Sequence, residues 1–109
     1  MNTKSIVDRL KLKLICGEIP DEFSGVYAGD LLSRAMSHAG EGNLWITIIN
    51  NINVIAVASL TEVAAVIFAE GVEASEEMIS AAQNKRVTLL SSDLTVYQIC
   101  CLIGETVSS

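Results

Sequence analysis

The chain is poor in the residues from which most enzyme chemistry is built. It has one histidine, His38, one proline, Pro20, and three cysteines, Cys16, Cys100 and Cys101, with no C-x-x-C among them. A lone imidazole cannot form a histidine cage around a metal, and three thiols cannot supply the four sulfur ligands of a cluster. Cys100 and Cys101 are adjacent on a predicted helix, where side chains diverge by about 100°. Neither a metal nor a cofactor is therefore expected. Cations are scarce as well: seven Lys and Arg stand against thirteen Asp and Glu, a net charge of −6. That balance argues against nucleic acid and against an anionic membrane surface, because both need clustered Lys and Arg. Also missing are the G-x-x-x-x-G-K-[ST] phosphate loop, a G-x-G-x-x-G after a strand and the G-x-S-x-G elbow. With only Phe23, Tyr27, Trp45, Phe68 and Tyr97 as aromatics, the core must be aliphatic.

What is present is one domain's worth of apolar sequence. The 109 residues are 50% hydrophobic, too apolar for a disordered segment, and are expected to fold as a single domain over residues 1–109. Met1–Arg9 leads into an amphipathic segment rather than an apolar run, so no secretory leader is expected. The uncharged stretch Gly42–Thr61 has the length of a membrane span but carries Asn43, Asn50, Asn51 and Asn53, whose amides are costly in hydrocarbon. No membrane association is expected. An odd number of irregularly spaced cysteines fits a reduced, cytoplasmic protein.

The hydrophobic pattern orders the elements. Ile6, Val7 and Leu10 mark one face of a first helix, with Thr3 as its cap, followed by a strand over Leu12–Cys16 and a loop around Pro20. Gly25–Ala28 reads as a short strand. Asp30 is placed to cap a helix through Ala39 that buries Leu31, Leu32, Ala35 and Met36. Leu44–Ile49 is a nearly continuous apolar run, the mark of a strand covered on both faces. Asn51 or Asn53 then caps a helix to Thr61, and a second apolar run over Ala64–Ala69 stops at Gly71. Ser75 with Glu76 and Glu77 starts another helix, ended by Lys85 and Arg86, as the helix dipole favours. A strand over Val87–Leu90 and a helix capped by Ser92 or Asp93 and running to Val107 complete the chain. Residues 44–107 thus read β-α-β-α-β-α, and right-handed crossovers make the three strands parallel. The expected fold class is α/β, a three-layer α/β/α domain with a mostly parallel sheet.

Ligands of open parallel sheets gather where strand C-termini meet helix N-termini. The candidate ligand-binding residues are accordingly Asn50, Asn51 and Asn53, then Gly71 beside Glu70 and Glu73, then Ser91, Ser92 and Asp93. Their amides, hydroxyls and N–H groups suit a small polar metabolite, although the same residues also serve simply to cap helices and turn the chain. Glu70, Glu73 and Asp93 disfavour a strongly anionic ligand. On the last helix, Val96, Ile99, Ile103 and Val107 form an apolar stripe that Tyr97, Cys101 and Leu102 widen. So broad a stripe is either buried centrally or meets another chain. The expectation is a homodimer through those four residues.

Two blocks, Gly25-Val26-Tyr27-Ala28-Gly29-Asp30-Leu31-Leu32-Ser33 and Glu41-Gly42-Asn43-Leu44-Trp45-Ile46-Thr47, resemble stand-alone DRTGG-domain proteins. So do Asn53-Val54-Ile55-Ala56-Val57-Ala58-Ser59-Leu60 and the stretch from Gly71 through Ser92-Asp93-Leu94. The resemblance covers nearly the whole chain. It implies an α/β regulatory module, similar to the N-terminal domain of HPr kinase and to the module beside CBS domains in some inorganic pyrophosphatases. Where the family motif has Thr-Gly-Gly, this chain has Ala69-Glu70-Gly71, so only Gly71 matches. The expected function is non-enzymatic sensing of a small ligand or binding of a partner enzyme. Two alternatives stand beside it: an accessory role in iron hydrogenase assembly or electron transfer, which the family's gene neighbourhoods imply, and a metal-dependent enzyme using Asp30, Glu70 and Asp93.

Overall fold

Apolar runs become adjacent parallel strands in the computed structural model, which describes residues 1–108. The strands are β1 (Lys13–Cys16), β2 (Gly25–Ala28), β3 (Asn43–Thr47), β4 (Ala65–Phe68) and β5 (Leu89–Ser91). They form one sheet in the order β1-β5-β4-β3-β2. The pairs from β2 to β5 are parallel, while β1 joins the outer edge of β5 antiparallel. The helices are α1 (Thr3–Leu10), α2 (Leu32–His38), α3 (Asn53–Thr61), α4 (Glu76–Lys85) and α5 (Val96–Ser108).

Alternation along the strands sorts the core into two halves. Trp45, Val66, Phe68 and Leu89 face α2, α3 and α4, which contribute Ala35, Val54, Ile55, Met78 and Ala82. Leu44, Ile46, Ile67 and Leu90 face α1 and α5, which contribute Ile6, Leu10, Ile99 and Ile103. The result is the expected three-layer α/β/α domain with a mostly parallel sheet, and β3 and β4 are buried on both faces, as their apolar runs require.

Several local expectations are corrected. Asn2, not Thr3, caps α1: its side chain accepts the Ser5 N–H, and Thr3 is buried within the helix. Asp30 does not cap α2. Its carboxylate accepts instead from the Thr47 hydroxyl and the Ile48 N–H, and α2 starts after Leu31 with no side-chain cap. On α2 only Ala35 is buried, while Leu31 and Met36 stay exposed, because a seven-residue helix at the rim of the sheet reaches the core with a single face. α5 is opened by neither Ser92 nor Asp93. Thr95 and Gln98 form a reciprocal capping box, each accepting the other's backbone N–H at 3.1 and 2.9 Å.

The α5 stripe is also corrected. Ile99 is fully buried and Ile103 nearly so within the chain's own core, with Val96 half-buried beside them. Of the four stripe residues only Val107 is exposed. The breadth of the stripe reflects a helix that must cover a sheet face alone with the short α1. Among the described residues no helix is long and apolar enough to cross a membrane.

The Thr3 hydroxyl is buried without a hydrogen-bond partner among the described residues. A buried hydroxyl in that state costs about 1–3 kcal/mol. Thr3→Val keeps the shape and removes the unpaired group, so chemical denaturation is expected to show a stabilisation of about 1 kcal/mol.

Candidate functional site

The C-terminal ends of β4 and β5 open into a groove of about 510 Å³. Its floor follows from register: Lys13 on β1 lies opposite Ser91 on β5, and Ser91 opposite Phe68 on β4. Above this row stand the turn after β4, with Gly71, Val72, Glu73 and Ala74, and the turn after β5, with Ser92 and Asp93. Lys11, at the end of α1, closes the third side.

The two turns are laced together. Glu70 N–H donates to the Leu94 carbonyl at 2.8 Å, Gly71 N–H to the Ser92 carbonyl at 3.0 Å, and Ser92 N–H to the Phe68 carbonyl at 2.9 Å. Ser92 Oγ accepts the Leu94 N–H. Glu70 and Gly71 both carry positive φ, +58° and +72°, which is what folds the chain back over the end of β4. A Cβ at Gly71 would lie 3.3 Å from Asp93 Oδ1, so the glycine leaves that carboxylate its room.

Gly71, Ser91, Ser92 and Asp93 are thus brought together in this groove. Asn50, Asn51 and Asn53 follow β3 on the same edge but outside this groove. There Asn51 Oδ1 accepts the Asn53 N–H at 2.8 Å in the turn ahead of α3, but the expected cap is corrected: the N-cap position is Ile52 and carries no side-chain cap. The neighbouring Asp30 accepts both Thr47 Oγ1 (2.8 Å) and the Ile48 N–H (2.9 Å), tying the turn after β2 to the end of β3. Sequence reasoning missed Lys11 and Lys13. No local signal marks them, since they reach the groove only because β1 pairs with β5.

Charge distinguishes this groove. Among the described residues the one ion pair is Arg9–Glu105, between α1 and α5, so the exposed Lys11, Lys13, Glu73 and Asp93 have no ion-pair partner, like the other charged side chains. What sets the groove apart is that it gathers both signs in equal number. Two wider grooves flank the loop 17–24 at the opposite edge of the sheet, but there carboxylates outnumber cations. Asp30, Glu70 and Asp93 do not form a metal centre: among the described residues no three His, Cys, Asp or Glu side chains are grouped to hold an ion. The thiols lie elsewhere too. Burial pushes the Cys16 thiol up, against a backbone hydrogen bond from Leu89 that lowers it. Burial also raises Cys100, with the nearby Cys101 adding to the effect.

The C-terminal edge of the strands, where this groove lies, is where ligands gather in open α/β sheets. The family model of the DRTGG domain matches residues 5–106, and the chain belongs to that family. No curated protein sequence matches it. Among solved structures it is similar to the CBS and DRTGG domains of the regulatory region of Clostridium perfringens pyrophosphatase, a structure complexed with the activator diadenosine tetraphosphate. The TM-score is 0.74 at 18% identity, over 94% of this chain and 45% of that one. At that identity the likeness speaks to the fold, and this chain spans less than half of its neighbour's length.

The turn after β4, where the resemblance to the family motif implies a glycine pair, holds two left-handed residues, Glu70 and Gly71. A non-glycine residue there costs roughly 1–2 kcal/mol, offset in part by the roughly 0.5–1 kcal/mol that glycine loses in chain entropy. Glu70→Gly is therefore expected to raise stability by about 0.5–1 kcal/mol, measured by urea denaturation.

Proposed function

We propose that this DRTGG domain is a cytoplasmic, non-enzymatic regulatory module that binds a small polar metabolite in the groove over β4 and β5 and passes the signal to a partner enzyme. The observation that carries the reading is the groove itself, in which charges of both signs converge from three elements without pairing to one another. A few convergent polar groups in a concave site are what orients a small ligand. The similar pyrophosphatase region, regulatory and complexed with an activator, supports the class of function. His38 sits on α2 with Nδ1 3.1 Å from the Arg34 carbonyl and is not part of the groove, which fits binding without catalysis.

A thermal-shift screen against nucleotides and acyl phosphates tests the proposal. At least one compound is expected to raise Tm, since a ligand at a hundred times its Kd stabilises by about 2.7 kcal/mol. Amide NMR shifts should then fall on residues 71–74 and 91–93, and Lys13→Gln should weaken binding. A screen in which nothing perturbs those residues refutes the reading.

We further propose a homodimer formed on the outward face of α5. With Ile99 and Ile103 spent on the core, the available surface is Tyr97, which is 77% exposed, together with Cys101 and Val107. Sedimentation at micromolar concentration is expected to show a dimer that Tyr97→Glu converts to a folded monomer. A monomeric wild type overturns this part alone.

A further inference from the structure

Building on the ligand-sensing reading, we infer that the groove takes a phosphomonoester bearing neighbouring hydroxyls, of the size of a nucleoside monophosphate. Its phosphate sits on Lys11 and Lys13 and its hydroxyls on Asp93. The argument starts from the cations. A chain of net charge −6 places two of its seven Lys and Arg, two residues apart, in the lining of one groove, with no carboxylate paired to either. Lys11 is held there by the left-handed turn that ends α1 (φ +53°), and Lys13 by its place opposite Ser91. Two ammonium groups and the Ser91 hydroxyl form a donor set that a phosphate dianion satisfies, since charge-assisted hydrogen bonds to phosphate are the strong ones.

The opposite wall asks for the reverse. Ionised Asp93 and Glu73 only accept hydrogen bonds, and neither has a donor among the described residues. A bare dianion would be repelled by them, and a simple cation by the lysines. The occupant must carry its anionic group at one end and donors at the other. The sheet order sets the distance, because β1 and β4 are separated by β5. The turn after β5 with Asp93 lies one strand from β1 and the turn after β4 with Glu73 lies two, roughly 5 and 10 Å from the lysines. A groove of about 510 Å³ is also more than inorganic phosphate fills. A carboxylate that receives a sugar diol is a recurrent way of holding a ribose. Asp93 is free to do so because Gly71 presents no side chain against it. Val72 and Ala74, half-buried beside them, give the remaining ring an apolar wall.

The test is titration calorimetry of the full chain with adenosine and guanosine monophosphates, deoxyadenosine monophosphate, adenosine and inorganic phosphate. At least one ribonucleoside monophosphate is expected to bind, with adenosine and inorganic phosphate each weaker by about tenfold or more. Lys13→Gln should erase the preference for the phosphorylated nucleoside. Asp93→Ala should erase the preference for ribose over deoxyribose while leaving the phosphate preference in place. Both side chains are exposed, and circular dichroism confirms folding of each variant. Equal binding of adenosine, or of inorganic phosphate alone, overturns the inference, and so does a preference that survives both substitutions. If no nucleotide binds but an acyl phosphate shifts residues 91–93, the inference falls and the ligand-sensing reading stands. If nothing shifts them, both fall.

Discussion

Strand order is the constraint on which the rest depends. The parallel strands β2, β3, β4 and β5 lie side by side in the order in which the chain visits them. Right-handed crossovers then leave α2, α3 and α4 on one face together. The other face of a parallel sheet must still be covered, and only the first and last helices remain to cover it. α5 therefore spends Ile99 and Ile103 on the monomer, and α1 spends Ile6 and Leu10. What looks in the sequence like surplus apolar surface is the material of the second layer.

The same arrangement decides where the polar groups go. A sequential parallel sheet has no reversal of strand order between β2 and β5, so no crevice opens between diverging helices there. The groove arises at the boundary instead, where β1 adds antiparallel to β5 and brings the end of α1 to the C-terminal edge. One strand of reversed direction thus adds two lysines to an edge that the β4 and β5 turns alone would leave acidic.

Much of this was legible in the sequence where the cause is local. The runs 44–49 and 64–69 announced buried strands, Ser75 announced the start of α4 with its hydroxyl accepting the Met78 N–H, and Gly71 announced the turn after β4. The sequence misled where several polar residues compete for one helix end. Ser92, Asp93 and Thr95 are all good caps, and Thr95 prevails because Gln98 stands three residues on to return the hydrogen bond. Asp30 is likewise a good cap, but two donors from the end of β3, at 2.8 and 2.9 Å, outcompete the helix for its oxygen. Lys11 and Lys13 were invisible because their role depends on which strand β1 joins, and no residue of β1 encodes that by itself.

The electrostatics of the groove follow from placement rather than from net charge. At physiological ionic strength the field of an exposed charge is screened within about 8 Å. The carboxylates that make the chain acidic are spread over α1, α4, α5 and the connecting loops, whereas Lys11 and Lys13 are two residues apart in the lining of one groove. An anion entering the groove is therefore governed by the two nearest ammonium groups, while the acidic remainder acts at longer range and is damped by salt. Glu73 and Asp93 are near enough to escape that damping. They favour an occupant that turns a hydrogen-bond donor toward them, so an acidic protein can hold an anion and still reject one that is anionic all over.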